Sequence, residues 1–297
     1  MEESKKQILP PLLWVVGTPI GNLSDLSPRA KEALSEADCI LCEDTRQTGK
    51  LLSFLGIGGF RRLKRLDAHT SLEKMEVWLE VLRDQKKFAL VSDAGMPGIS
   101  DPGAQWVDLV RRSGIVVSVI PGPCAVVSLL AGSGFSETAF CFRGFFPRKP
   151  SLQEEEVRKT FQSPASRVFV WFESPHRIVQ TLRVFQKLRR DYPIVQMVIA
   201  KELTKWHERF FVGSSEEVLI QVEEEIALQG TVGEWCFAVW FEPDEVVEDW
   251  KKTLDCLFAL GISASEASKV VSRVFQVSKK EVYPVAFQLF QKKIGEI

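Results

Sequence analysis

The chain has 297 residues, a formal net charge of -1 at pH 7, 45% hydrophobic residues and 26% charged ones, the profile of a soluble globular protein with room for about two domains. No apolar run approaches the roughly 20 residues that span a bilayer, and the opening MEESKKQ lacks the apolar core of a signal peptide, so a cytoplasmic protein without a membrane partner is expected. Near-neutral charge leaves any nucleic-acid partner to be held by local patches.

Residues 12–16 read as a strand, followed by Gly17-Thr18-Pro19-Ile20-Gly21-Asn22, a Gly/Pro loop at the strand end. Ser27 is an expected N-cap with Pro28 at the first helical position, opening a helix that carries Ala30, Ala33, Leu34 and Ala37 on one side. Residues 39–42 form the next strand, ending in Glu43-Asp44-Thr45-Arg46. This strand holds the one CxxC, Cys39 and Cys42; three residues apart in a strand they face opposite sides, so free buried thiols are expected rather than a metal or redox site. A helix near 50–55 leads to a basic segment, Arg61, Arg62, Lys64 and Arg65, then to Asp67 and His69. Thr70 and Glu73 are an expected capping box for a helix reaching about residue 84.

The stretch around which the chain is organised is VSDAGMPGISDPG, residues 91–103. It follows an apolar strand at 88–91 and opens into a helical pattern at Trp106, Leu109 and Val110, so it is a loop at the carboxyl end of a strand in an α/β unit. In open α/β sheets ligands bind there. Gly95, Gly98 and Gly103 bring backbone close to a ligand and Pro97 and Pro102 stiffen the loop; an ordinary strand-to-helix connection needs only one or two such residues. A strand at 116–120 closes on Pro121-Gly122-Pro123 and a small-residue helix at 124–131. Strand and helix alternate throughout, which predicts a mainly parallel sheet whose three Gly/Pro loops converge on one crevice.

Residues 142–150, FRGFFPRKP, read as a linker of aromatics with Arg143, Arg148 and Lys149. A second α/β unit follows, with strands at 168–172, 195–200 and 235–241, helices near 176–188 and 215–229, and a hairpin strand at 210–212 that makes its sheet mixed. The segment 244–297 is helical, with apolar spacing at Trp250, Leu254, Leu257 and Phe258 and capping boxes at Ser263/Glu266 and Ser278/Glu281. It reads equally as a helix-turn-helix or as an appendage packing on the body or on another subunit. Pro284 implies that the last helix is kinked or starts late.

A dinucleotide GxGxxG after the first strand and a phosphate-binding GxxxxGK are both missing. Stiff loops with few cations suit a nucleoside-like ligand better than a triphosphate. Glu43, Asp44, Arg46, His69, Glu173, His176, Lys201, Glu202 and His207 supply acids and bases at strand ends, and for any one His a structural role competes with a catalytic one.

The ordered motifs VGTPIGNLSDLSPRA, CEDTRQTGKLL, VSDAGMPGISDPG, IPGPCA, FRGFFPRK, FESPHR and AKELTKWHE resemble the RsmI-type 16S ribosomal RNA 2'-O-ribose methyltransferases of the tetrapyrrole methylase superfamily. The resemblance implies two α/β lobes, residues 1–122 and 123–243, the first with a parallel sheet and the second with a mixed one, plus a small carboxyl-terminal helical domain, 244–297. It implies S-adenosyl-L-methionine as methyl donor, held by Asp93, Gly95, Pro97, Gly98, Ile99, Ser100, Pro121, Gly122, Cys124, Ala125 and Glu173. It implies a cytidine 2'-hydroxyl of 16S rRNA in the small ribosomal subunit as acceptor, and a homodimer. Two departures stand out: Cys124 occupies a position where the family commonly has Ser, and of a His-Glu-His-Asn run only His69 is kept. Transfer to a ribose hydroxyl requires alignment and proton removal. Asp44, His69, Lys201 and Glu202 form the pool for the base, Arg46 is a substrate anchor, and no metal is needed. Arg61, Arg62, Lys64, Arg65, Arg143, Arg148 and Lys149 are the expected RNA contacts, with Phe142, Phe145 and Phe146 stacking on bases or serving the core. A tetrapyrrole or protein methylase and a non-catalytic RNA-binding protein are the competing readings.

Overall fold

The computed structural model describes residues 12–163, 165–242, 250–275 and 277–294. They group into two compact units, within 1–241 and 242–297.

The first unit opens with β1 (Leu13–Val16), α1 (Pro28–Glu36), β2 (Cys39–Cys42), α2 (Thr45–Phe54), β3 (Leu63–Arg65), α3 (Leu72–Arg83), β4 (Phe88–Leu90), α4 (Ala104–Arg112) and β5 (Val117–Ile120). The five strands lie in the order β3-β2-β4-β1-β5, every pairing parallel, so their carboxyl ends share one edge. Alternation along the strands feeds two cores. Leu13, Val15 and Leu41 pack with Trp78 of α3 and Trp106 of α4, whereas Val16, Ile40 and Cys42 pack with Ala30 and Leu34 of α1 and Leu52 of α2. Helices α1 and α2 begin at side-chain caps: the Ser27 hydroxyl accepts the Ala30 N–H, with Pro28 following, and the Asp44 carboxylate accepts the Arg46 N–H.

Three local expectations are corrected. The cap of α3 is Ser71, which accepts from Lys74, while Thr70 turns back to bond Asp67. Helix α2 starts directly behind Asp44 rather than near residue 50. The basic segment contains a strand, β3, whose pattern is hidden because only Leu63 of its three residues is buried at the sheet edge.

The remainder of this unit is α5 (Ala125–Ser133), β6 (Phe140–Phe145), α6 (Pro150–Phe161), β7 (Val168–Glu173), α7 (Ile178–Leu188), β8 (Ile194–Lys201), β9 (Arg209–Gly213), α8 (Ser215–Gln229) and β10 (Trp235–Phe241). The second sheet runs β6-β7-β10-β8-β9; β6 and β7 are parallel and the other pairs antiparallel. It is the mixed sheet expected. Residues 142–145, read as linker, are instead part of β6, which pairs with β7 across an irregularity between Phe142 and Phe145. One face packs an aromatic core in which Trp171 and Phe237 stack at 5.2 Å, together with Phe185 and Phe146. The other face packs Val126 and Leu129 of α5 and, from the first lobe, Ile20. Ile20 therefore anchors the first Gly/Pro loop to the second sheet.

The second unit contains α9 (Trp250–Ala259), α10 (Ala264–Phe275) and α11 (Lys279–Ile294), closed on Trp250, Leu254, Ala267, Val271 and Val282. Ser263 caps α10, its hydroxyl accepting the Glu266 N–H and donating to the Glu266 carboxylate, whereas the Ser278 hydroxyl accepts from Lys280 rather than Glu281. Pro284 lies inside α11, which starts at Lys279. No helix among the described residues is long and apolar enough to cross a membrane.

Candidate active site

The shared strand edge is welded by its loops. Thr18 and Gly95 exchange main-chain hydrogen bonds of 2.9 and 3.2 Å, and the Thr18 hydroxyl, 0% exposed, lies 3.3 Å from the Ser92 and Gly95 carbonyls. Gly17 and Gly122 approach so closely that a Cβ on Gly17 would sit 2.6 Å from the Gly122 Cα. The loop 91–103 holds Gly95 and Gly98 at φ +83° and Ser100 at +68°, the last a backbone conformation uncommon for a residue with a side chain. Strain of this kind gathers at functional sites.

Between these loops and the second sheet lies a cavity of about 410 Å³, within the range of small-molecule sites. Ile20, Met96, Ile99, Phe145, Phe172, Leu203 and Trp235 make its walls apolar, and the half-buried Asp101 and the exposed Glu234 contribute carboxylates. No Lys, Arg or His is among the described residues that line it. Such a cavity accepts an aromatic heterocycle and a positive charge, and disfavours a phosphate chain.

Of the residues assigned to the donor, Gly95, Ile99, Cys124, Ala125 and Glu173 line this cavity. Asp93, Pro97, Gly98, Ser100, Pro121 and Gly122 build the surrounding loops without lining it. Glu173 offers only main chain, because its side chain is 0% exposed. One oxygen accepts from Ser174 N (2.6 Å) and Arg177 Nε (2.8 Å), with Arg177 Nη2 closer still, and the other accepts from Thr181 (2.6 Å). Its carboxylate thus pins the 174–177 turn that shapes the cavity.

The five residues assigned to catalysis fall outside the lining. Asp44 caps α2 and is gripped by Arg46 at 2.7 Å; hydrogen bonds from the Arg46 side chain and main chain hold its carboxyl at about 2. His69 is exposed at the end of the outermost strand, β3, its N–H bonded to Asp67. Lys201, 3% exposed, points into its own lobe, 2.7 Å from Glu225 of α8 and 5.4 Å from the Trp235 ring centre. Glu202 bonds Lys205 and the Glu234 N–H; burial would raise its carboxyl, but these partners hold it below the ordinary value. Lys201 and Glu202 are thus each engaged by a partner side chain or main-chain group outside the lining.

Beside Glu234, the carboxylate that reaches the cavity is Asp101, in the loop 91–103 but passed over in sequence. Burial pushes it up to about 6, opposed by a Ser92 hydrogen bond and assisted by Glu43 and Asp93. Glu43 is itself raised by burial and by Asp93. A carboxylate tuned near neutrality in a cleft has the property a general base needs.

The cationic set also divides. Arg61, Lys64, Arg65, Arg148 and Lys149 are exposed, Arg65 beside Asp67 at 3.0 Å. Arg143 is bound through two nitrogens to Glu156, 2.9 and 3.1 Å. Arg62 donates to the carbonyls of Leu34, Ser35 and Ala37 at the end of α1 and to Gly58 O, so its guanidinium caps that helix. Arg62→Ala is expected to cost about 1–3 kcal/mol of stability, read as a lowered midpoint of thermal unfolding. Of the aromatics, Phe146 is core and Phe145 is 63% exposed at the cavity.

The family model described as Tetrapyrrole (Corrin/Porphyrin) Methylases matches residues 12–219. A Thermotoga maritima protein named ribosomal RNA small subunit methyltransferase I is 42% identical, covering 71% of this chain and 92% of the relative. A Haemophilus influenzae protein of the same name is 32% identical over 95% of this chain and 98% of the relative. The chain belongs to the ribosomal RNA small subunit methyltransferase I group of the tetrapyrrole methylase family. As a member of that family it is a methyltransferase. Its fold is similar to the crystal structure of uroporphyrin-III-C-methyltransferase from Thermus thermophilus, with a TM-score of 0.51 at 18% identity over 81% of this chain and 97% of the other.

Proposed function

We propose that this protein transfers a methyl group from S-adenosyl-L-methionine to the ribose 2'-hydroxyl of a cytidine in 16S rRNA of the small ribosomal subunit, working in the cytoplasm as a homodimer. The observation that carries the reading is the cavity: apolar walls, Asp101 and Glu234, and no lining cation among the described residues. This composition fits the donor, whose adenine needs apolar walls and whose sulfur is positive. The name shared by the Thermotoga and Haemophilus relatives supports an acceptor in small-subunit rRNA, and the motif resemblance supports the cytidine 2'-oxygen and the dimer.

The donor, when bound, supplies an electrophilic methyl group. The chain's own residues then have three tasks. Met96, Ile99 and Phe172 exclude water, and Gly95 with the Cys124–Ala125 main chain brings backbone against the ligand. Cys124 supplies a weaker hydrogen-bonding group than the Ser that the resemblance leads one to expect. Asp101 holds a carboxylate oxygen ready to take the proton of the ribose hydroxyl, a contribution of about a hundredfold to ten-thousandfold.

Incubation with methyl-labelled S-adenosyl-L-methionine and, in parallel, small ribosomal subunits, naked 16S rRNA or a tetrapyrrole acceptor tests the acceptor class. Label in the RNA is expected. Label confined to the tetrapyrrole, or failure to bind the donor, overturns the proposal.

A further inference from the structure

We infer that Trp206 is a stacking platform at the rim of the cavity, which receives a nucleobase of the RNA acceptor at or beside the methylated ribose; this rests on the RNA methylation proposed above. Trp206 is 94% exposed, an unusual position for a residue whose large apolar surface is ordinarily covered. It sits in the connection between β8 and β9, and that connection is built stiff. Glu202 and Thr204 both have left-handed backbones, φ +54° and +66°, which for a β-branched Thr is an outlier that only strong surroundings maintain. The surroundings are present: Thr204 N–H donates to Glu208 at 2.6 Å, Lys205 N–H to the Glu202 carbonyl at 3.0 Å, and Glu202 ties the turn to Glu234 at 2.8 Å. Among the described residues the buried Thr204 hydroxyl has no hydrogen-bond partner.

The same turn belongs to the site. Leu203 lines the cavity beside Glu234, and Gly21 of the first Gly/Pro loop abuts Lys205, where a Cβ would also meet the Thr204 hydroxyl at 2.9 Å. The indole thus follows a cavity-lining residue by three positions in the same turn, on backbone already ordered before any ligand arrives. Stacking suits this arrangement, since every nucleobase has a π-face and a preordered ring loses little freedom on binding. His207 and Arg209, both exposed, stand next to it with groups that a phosphate can accept from.

The test is steady-state methylation of small ribosomal subunits at saturating donor by the full-length wild type, Trp206→Ala, Trp206→Leu and Trp206→Phe, with particle mass measured for each. Trp206→Ala and Trp206→Leu are expected to raise KM for the RNA about tenfold with little change in kcat, and Trp206→Phe to restore most of it. A side chain this exposed has no core to disturb. Wild-type transfer to RNA with KM unmoved in both Ala and Leu variants overturns the platform alone. So does a Trp206→Ala protein whose particle mass falls to half, which would assign the indole to the interface between two copies. Absence of RNA methylation by the wild type instead overturns the underlying function, and the platform with it.

Discussion

Asp101→Asn is expected to lower kcat by about a hundredfold or more, while calorimetric affinity for S-adenosyl-L-methionine changes by much less. The amide keeps the shape of the side chain and removes its ability to take a proton. A pH profile gives the sharper signature. Only the ionised carboxylate is a base, so wild-type activity should be full above neutrality and fall as pH drops through about 6, the value to which burial drives this group. Asp44, held at about 2 by Arg46, would give no inflection near neutrality, and Asp44→Asn should retain most of the pH dependence. An unchanged kcat in Asp101→Asn, or a flat profile between pH 5 and 8, removes Asp101 from the chemistry.

Lys201→Ala should be among the most destabilising single substitutions in the second sheet. The ammonium and Glu225 face each other at 2.7 Å with side chains 3% and 12% exposed. Removing one partner strands the other charge away from water, a loss of about 3–5 kcal/mol, whereas replacing both by apolar side chains of similar volume is often neutral or better. Lys201→Met combined with Glu225→Leu should therefore recover the unfolding midpoint that either single substitution loses, and recover methyl transfer with it. A double variant that is as stable as wild type but lacks methyl transfer would return Lys201 to the pool of catalytic residues.

The contrast between these two residues explains which parts of the molecule the sequence makes legible. The parallel sheet is visible because β1, β4 and β5 are short runs closed by Gly and Pro, and the loop ends follow from the strand direction. Strand β3 is hidden because a three-residue edge strand buries only Leu63. Strand β6 is hidden because Arg143 and Gly144 interrupt its aromatic run, and Gly144, at φ +72°, sits where the register slips. At the site, the Gly/Pro loops are legible as backbone brought to a ligand. The chemical role of a charged side chain is not, because it depends on distant neighbours: Asp101 is tuned by burial with Glu43 and Asp93, Lys201 is paired with Glu225, and Arg62 is consumed by carbonyls of α1. A polar residue at a strand end looks the same in sequence whether it points into the cavity or into the core.

The central claim is that a ribose oxygen receives the methyl group, and the position of the label tests it most directly. Small ribosomal subunits lacking the modification are methylated with labelled donor, and their RNA is digested to nucleosides and separated. The account predicts label in 2'-O-methylcytidine, with the adjoining phosphodiester resistant to alkali. Label on a base, or alkali-sensitive linkages at the labelled nucleotide, would contradict it.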